Sequence, residues 1–109
     1  VDRSTARWFR GLEDHELGPI LARMLTEPQK PWTVASLAAA GRMARSSFAR
    51  RFRDVLGVAP MALLTDIRMR KARALLRQSH LGLKEIARQV GYRTAGASST
   101  ASRRDHQLP

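Results

Sequence analysis

From about Asp14 to Thr26, Leu17, Ile20, Leu21, Met24 and Leu25 recur at steps of three and four residues, the spacing that gathers side chains on one face of a helix. Pro19 must lie near the start of that helix or bend it, because proline has no amide hydrogen to donate. The stretch Glu27-Pro28-Gln29-Lys30-Pro31 ends it, since a residue ahead of proline avoids the helical region. Thr33 then stands as the cap of a short helix with Val34, Leu37, Ala38 and Ala40 or Gly41 inward. After a turn at Arg42 and Met43, the residues Phe48, Phe52, Val55 and Leu56 form the apolar stripe of a second helix starting near Arg45, and Gly57 is placed to close it. Two short helices joined by a tight turn make a helix-turn-helix unit.

Beyond Gly57-Val58-Ala59-Pro60 the pattern predicts a long helix from about Met61 to Gln78, with Leu64, Ile67, Ala72, Leu75 and Leu76 inward and Arg68, Arg70, Lys71 and Arg73 mostly outward. At 1.5 Å per residue it would be a rod about 27 Å long, suited to separating two lobes. Ser79-His80-Leu81-Gly82 breaks it, and Leu83, Ile86, Ala87 and Val90 follow at amphipathic spacing up to Gly91. Residues 1–12 carry Trp8, Phe9 and Leu12 and read either as a linker or as a short helix whose aromatics dock on the body. The predicted fold class is all-α: residues 1–13 as linker or short segment, 14–58 as a first helix-turn-helix subdomain, 59–79 as a connector helix and 80–109 as a second helix-turn-helix subdomain.

The second subdomain reads as a copy of the first. Val34, Leu37, Ala38 and Met43 match Leu83, Ile86, Ala87 and Tyr92 at a constant offset. Past the turn the offset grows by one residue, so that Ser46, Ala49, Arg50 and Arg53 correspond to Gly96, Ser99, Thr100 and Arg103. The copy is unequal, because Ser98 and Ser102 stand where Phe48 and Phe52 stand in the first unit. Losing a buried phenylalanine costs about 3 to 5 kcal/mol, and two such losses rival the roughly 5 to 15 kcal/mol that hold a whole domain together. Residues 94–104 are therefore expected to form a frayed or loosely docked helix.

Charge narrows the partner. Lys and Arg total 20 against 9 Asp and Glu, a net charge of +11, nearly all of it from arginine. That balance favours a polyanion, although a GC-rich genome that writes Arg for Lys would produce part of it. The planar guanidinium fork suits phosphates and guanine edges better than a lysine does. With no cysteine, and with His15, His80 and His106 in separate segments, neither a disulfide nor a metal site is expected, and no cofactor is called for. No nucleophile motif or phosphate-cradling glycine loop supports an enzyme. No apolar run approaches the roughly 18 residues of a membrane span, so a soluble, cytoplasmic protein is expected, nucleoid-associated when bound. A chain that starts at Val1 without an initiator methionine reads as a piece of a longer protein whose effector-sensing and dimerising parts lie elsewhere.

Trp32-Thr33-Val34-Ala35-Ser36-Leu37-Ala38, the run from Arg45 to Phe52, Gly57-Val58-Ala59-Pro60 and Ile86-Ala87-Arg88-Gln89-Val90-Gly91-Tyr92 together resemble the DNA-binding domain of the AraC/XylS transcription regulators. The similarity runs from about Glu16 to Arg104. It implies two helix-turn-helix lobes on a long helix, with both recognition helices entering successive major-groove segments on one face of double-stranded DNA, and RNA polymerase as a further partner of the full-length regulator. A major groove about 12 Å wide admits one helix, whose N-terminal half meets the base edges. The base-reading candidates are Arg45, Ser46, Ala49 and Arg50 in the first unit and Ala95, Gly96, Ser99 and Thr100 in the second. Ser46, Ala49 and Arg50 match positions that read bases in the family, and Arg50 has the fork for a guanine edge. Thr33, Arg51, Arg53 and Arg103 are the phosphate candidates. Ala44 stands where the family usually has a capping serine. Two rival readings remain: a basic module that binds nucleic acid without sequence preference, and an adaptor for proteins or membrane surfaces.

Overall fold

The stretch that apolar spacing leaves undecided is helical: α1 (Arg3–Glu13) is the first of six helices in the computed structural model, which describes residues 3–92. Trp8 packs against the hydrophobic core while Phe9 is 60 % exposed, so one aromatic docks and its neighbour does not. Gly11 makes the approach close, since a Cβ there would lie 2.8 Å from Leu21 Cδ1 and 3.0 Å from Leu56 Cδ2.

Helix α2 (Leu17–Thr26) starts later than its apolar spacing predicts, and the Asp14 carboxylate accounts for the difference. Its Oδ1 accepts from the Glu16 and Leu17 N–H groups, both at 2.9 Å, satisfying donors that a starting helix leaves orphaned. Pro19 falls in the first turn, where its missing N–H interrupts no helical hydrogen bond. Leu17, Ile20, Leu21 and Met24 face inward and are fully buried.

Thr33 caps α3 (Val34–Ala40) through a reciprocal box, in which the Ser36 N–H donates to Thr33 Oγ1 at 3.0 Å and the Thr33 N–H donates to Ser36 Oγ at 2.8 Å. The turn after α3 is a Schellman motif. The Met43 N–H donates to the Ala38 carbonyl at 2.9 Å, the Arg42 N–H donates to the Ala39 carbonyl at 3.0 Å, and Arg42 sits between them at φ 57°. Helix α4 (Arg45–Leu56) then buries Phe48, Phe52 and Leu56. The two rings meet edge to face with centroids 5.6 Å apart, inside a cluster built from α2, α3, α4 and the start of the next helix. Gly57 ends α4 in the left-handed region at φ 79°.

Helix α5 (Pro60–Gln78) opens on proline, which has no amide hydrogen to waste there. It adds Leu63 and Leu64 to the first core, and it touches α2 and α4 as well as α6 (Leu83–Gln89). Ile86, Ala87 and Val90 are buried outside that first core, which gives the chain a second, separate packing centre. Three leucines with core spacing are exposed instead: Leu25 is 45 %, Leu76 is 56 % and Leu83 is 71 % exposed. Among the described residues, no helix is long and apolar enough to cross a membrane.

Candidate nucleic-acid interface

Helix α4 is held by one face and offers the other. With Phe48 and Phe52 inward, the residue midway between them, Arg50, points to the opposite side of the helix. Arg45, Ser46, Arg50 and Arg53 are exposed and Ala49 is half-buried. Ser46, Ala49, Arg50 and Arg53 follow the i, i+3, i+4, i+7 spacing, so they form one stripe along the outer surface. The structure therefore brings Ser46, Ala49, Arg50 and Arg53 onto one surface, with Arg45 exposed at the start of the same helix.

Arg51, a phosphate candidate, differs from these in being ion-paired within the domain. Its Nη2 donates to Asp14 Oδ2 at 2.7 Å, and its Nε lies 3.7 Å from Glu16 Oε1. The Asp14 side chain is only 9 % exposed. Burial pushes its carboxyl upward, but the Arg51 guanidinium and the Leu17 and Glu16 amides together outweigh that and hold it below its ordinary value of 3.8. Arg51 thus ties α4 to the turn between α1 and α2. By contrast, Arg45, Arg50 and Arg53 make no ion pair among the described residues.

Two further features shape this face. Ala44 makes no side-chain cap at the start of α4, although its backbone, at φ −67° and ψ 145°, is in the extended geometry of a cap residue. The first N–H groups of α4 consequently lack a side-chain acceptor, and an anion is favoured beside them. Glu16 and Asp54 line the same open groove as Ser46 and Arg50, so carboxylates border the basic stripe. The apolar periodicity passes over both, because an acidic residue on an exposed face leaves no hydrophobic trace.

Thr33 is exposed and its Oγ1 already accepts from Ser36, which leaves its hydroxyl hydrogen free to donate. His15 and His80 are exposed, and no group of three metal-ligating side chains occurs among the described residues. The second unit's candidates, Ala95, Gly96, Ser99, Thr100 and Arg103, lie outside the described residues, as do Ser98, Ser102 and the helix expected over 94–104.

A family model described as a helix-turn-helix domain matches residues 37–109. The regulator AlkR of Acinetobacter baylyi is 40 % identical over 100 residues, covering 92 % of this chain and 33 % of its own length. RclR of Escherichia coli, an RCS-specific helix-turn-helix transcriptional activator, is 43 % identical over 76 residues, covering 70 % of this chain and 27 % of its own. An AraC-like regulator of Streptomyces lividans is 35 % identical over 102 residues, covering 94 % and 34 %. The chain thus spans about a third of the length of these relatives. Among solved structures, the DNA-binding domain of AdpA, in complex with a target DNA, superposes with a TM-score of 0.74 at 30 % identity over 87 % of this chain and 84 % of that one. The C-terminal domain of AraT from Geobacillus stearothermophilus gives 0.67 at 34 % identity over 83 % and 78 %. With the helix-turn-helix match covering most of the chain and AraC-like regulators among its relatives, the chain belongs to the AraC-type helix-turn-helix family of transcription regulators.

Proposed function

We propose that this domain binds double-stranded DNA with sequence preference, as the DNA-reading part of a bacterial transcription regulator, with α4 in the major groove. The observation that carries the proposal is the outer stripe of α4, where Arg50 stands opposite the buried Phe48 and Phe52 and makes no ion pair among the described residues. The AdpA domain, whose fold this chain shares, was solved on a target DNA, which supports the same partner here.

Arg50 supplies two parallel donors for guanine O6 and N7, Ser46 a hydroxyl for a base or a phosphate, and Ala49 a methyl for thymine; Arg45 reaches a neighbouring base edge. Arg53 and Thr33 take phosphates, helped by the uncapped start of α4. Arg51 holds the reading helix against Asp14 instead. Ala95, Gly96, Ser99 and Thr100 read the second segment with weaker chemistry, having no guanidinium or amide among them, and Arg103 takes a phosphate there. In the full-length regulator, RNA polymerase is a further partner, the effector and dimerisation functions lie in the remaining chain, and the protein acts in the cytoplasm on the nucleoid. The relatives' length, about three times that of the matched segment, supports this division.

The test is fluorescence anisotropy at physiological salt on a footprinted promoter site and its scrambled counterpart. A specific reader gains at least about 10³ in affinity on the former. Arg50→Ala should relax preference at one base pair by about 1 to 3 kcal/mol. Arg53→Ala should weaken all sequences alike and lower the salt slope by about 1. Equal affinity for both duplexes would return the domain to a non-specific basic module.

A further inference from the structure

We infer that Arg68 is a positioning residue that locks the angle between the two lobes, by joining the loop after α2 to the turn after α6 through one guanidinium. From the middle of α5, its Nε donates to the Pro28 carbonyl at 2.8 Å and its Nη2 donates to the Lys30 carbonyl at 2.7 Å. Both carbonyls belong to the loop that closes the first lobe. The same guanidinium carbon lies 5.7 Å from the centroid of the Tyr92 ring, at the turn that closes α6 in the second lobe.

Gly91 brings the two lobes together at this point. A Cβ on it would stand 2.9 Å from Arg68 Nε and 3.0 Å from the Pro28 oxygen. The turn of one lobe and a carbonyl of the other therefore press on the same side chain, with no room for a methyl group between them. Pro28 is fully buried and Arg68 is half-buried, so the hydrogen bond to Pro28 is partly shielded from water, whereas the one to Lys30 is exposed. Among the described residues Arg68 has no carboxylate partner; two carbonyl dipoles and a ring face compensate its charge instead. Only a planar fork can donate to two carbonyls in its edge while offering its face to an aromatic ring, which a lysine ammonium cannot do.

The site lies outside both packing centres, so its loss should change how the lobes sit relative to each other before it changes whether they fold. The consequence for DNA rests on the two-reader proposal above. Two helices that must meet major-groove segments about 34 Å apart tolerate little error in the angle between them.

The chain has no cysteine, so Ala35→Cys on α3 and Lys84→Cys on α6, both exposed, give a unique pair of spin labels. Pulsed dipolar spectroscopy on the otherwise unchanged chain should give one narrow distance distribution. Arg68→Met should at least double its width while circular dichroism keeps the helical signal, and Arg68→Lys, which keeps charge and bulk, should broaden it less. An unchanged width in Arg68→Lys together with an unchanged or unfolded Arg68→Met would overturn the inference. DNA binding separates the inference from the proposal it rests on. Arg68→Lys should keep within twofold its affinity for a duplex carrying only the first unit's segment and lose about tenfold on one carrying both segments. Equal losses on both would show a general weakening and overturn the positioning role. Broadened distances with no loss on either would uphold the inference and reject the two-reader proposal.

Discussion

Replacing Arg42 with glycine should make the protein more stable, and the structure sets the size of the gain. Arg42 is held at φ 57° by the two hydrogen bonds of the turn between α3 and α4. An L side chain in that left-handed conformation costs about 1 to 2 kcal/mol, because Cβ crowds the following carbonyl oxygen. Glycine removes that cost but gives the unfolded chain more freedom, which takes back about 0.4 to 1 kcal/mol. The Arg42 side chain is exposed and makes no ion pair among the described residues, so little else is lost. The two ranges leave a net gain of about 0 to 1.6 kcal/mol, centred on about 0.8 kcal/mol. In a domain of this size the central value corresponds to a rise in Tm of about 3 to 6 °C. Thermal melts followed at the helical circular-dichroism band would show it, with a higher urea midpoint at unchanged slope. Gly91 supplies the reverse experiment at the matching position of the second unit. It sits at φ 110°, and a Cβ there would press on Arg68 and the Pro28 carbonyl, so Gly91→Ala should cost at least about 1 to 3 kcal/mol. A lower Tm for Arg42→Gly, or a neutral Gly91→Ala, would refute the claim that both turns impose the same backbone demand.

Two other substitutions probe the ends of α2 and α4. Asp14 titrates below 3.8 in the folded protein, so its stabilisation is complete above about pH 4 and is lost as pH falls through the folded value. Urea unfolding from about pH 5 down to about pH 2 should show this acid limb, and Asp14→Asn should flatten it; an identical limb in the variant would put the effect on other carboxylates. Ala44→Ser places a hydroxyl on a backbone already in cap geometry and should add about 1 kcal/mol. Urea midpoints would measure it, and a midpoint that falls would show that the serine cannot reach the amides of α4.

The elements that were legible in the sequence are those whose evidence is a repeated apolar spacing with a terminator beside it. Phe48, Phe52 and Leu56 fixed both the inner face of α4 and, by opposition, the outward place of Arg50. Period alone identifies a face without identifying its neighbour, which is why Leu76 and Leu83 have core spacing and yet stand 56 % and 71 % exposed. Polar contacts between distant segments have no period at all. Arg51 and Asp14 are 37 residues apart, and Arg68 and Pro28 are 40 apart, so one arginine that resembled a phosphate clamp and another that resembled outward surface proved to be fastened to the body.

The internal repeat shows a third kind of signal, present in the sequence but easily overlooked. At the offset that pairs Met43 with Tyr92, Arg42 falls opposite Gly91, two residues with nothing chemical in common. What the units share is a pair of hydrogen bonds, from Arg42 and Met43 to Ala39 and Ala38 in one and from Gly91 and Tyr92 to Arg88 and Ala87 in the other. Backbone bonds accept many side chains at their ends, so matching residue identities passes over the position where the turn is made. The positive φ there selects glycine on physical grounds. The second unit supplies it and the first does not, so the repeat itself indicates that the first turn carries removable strain.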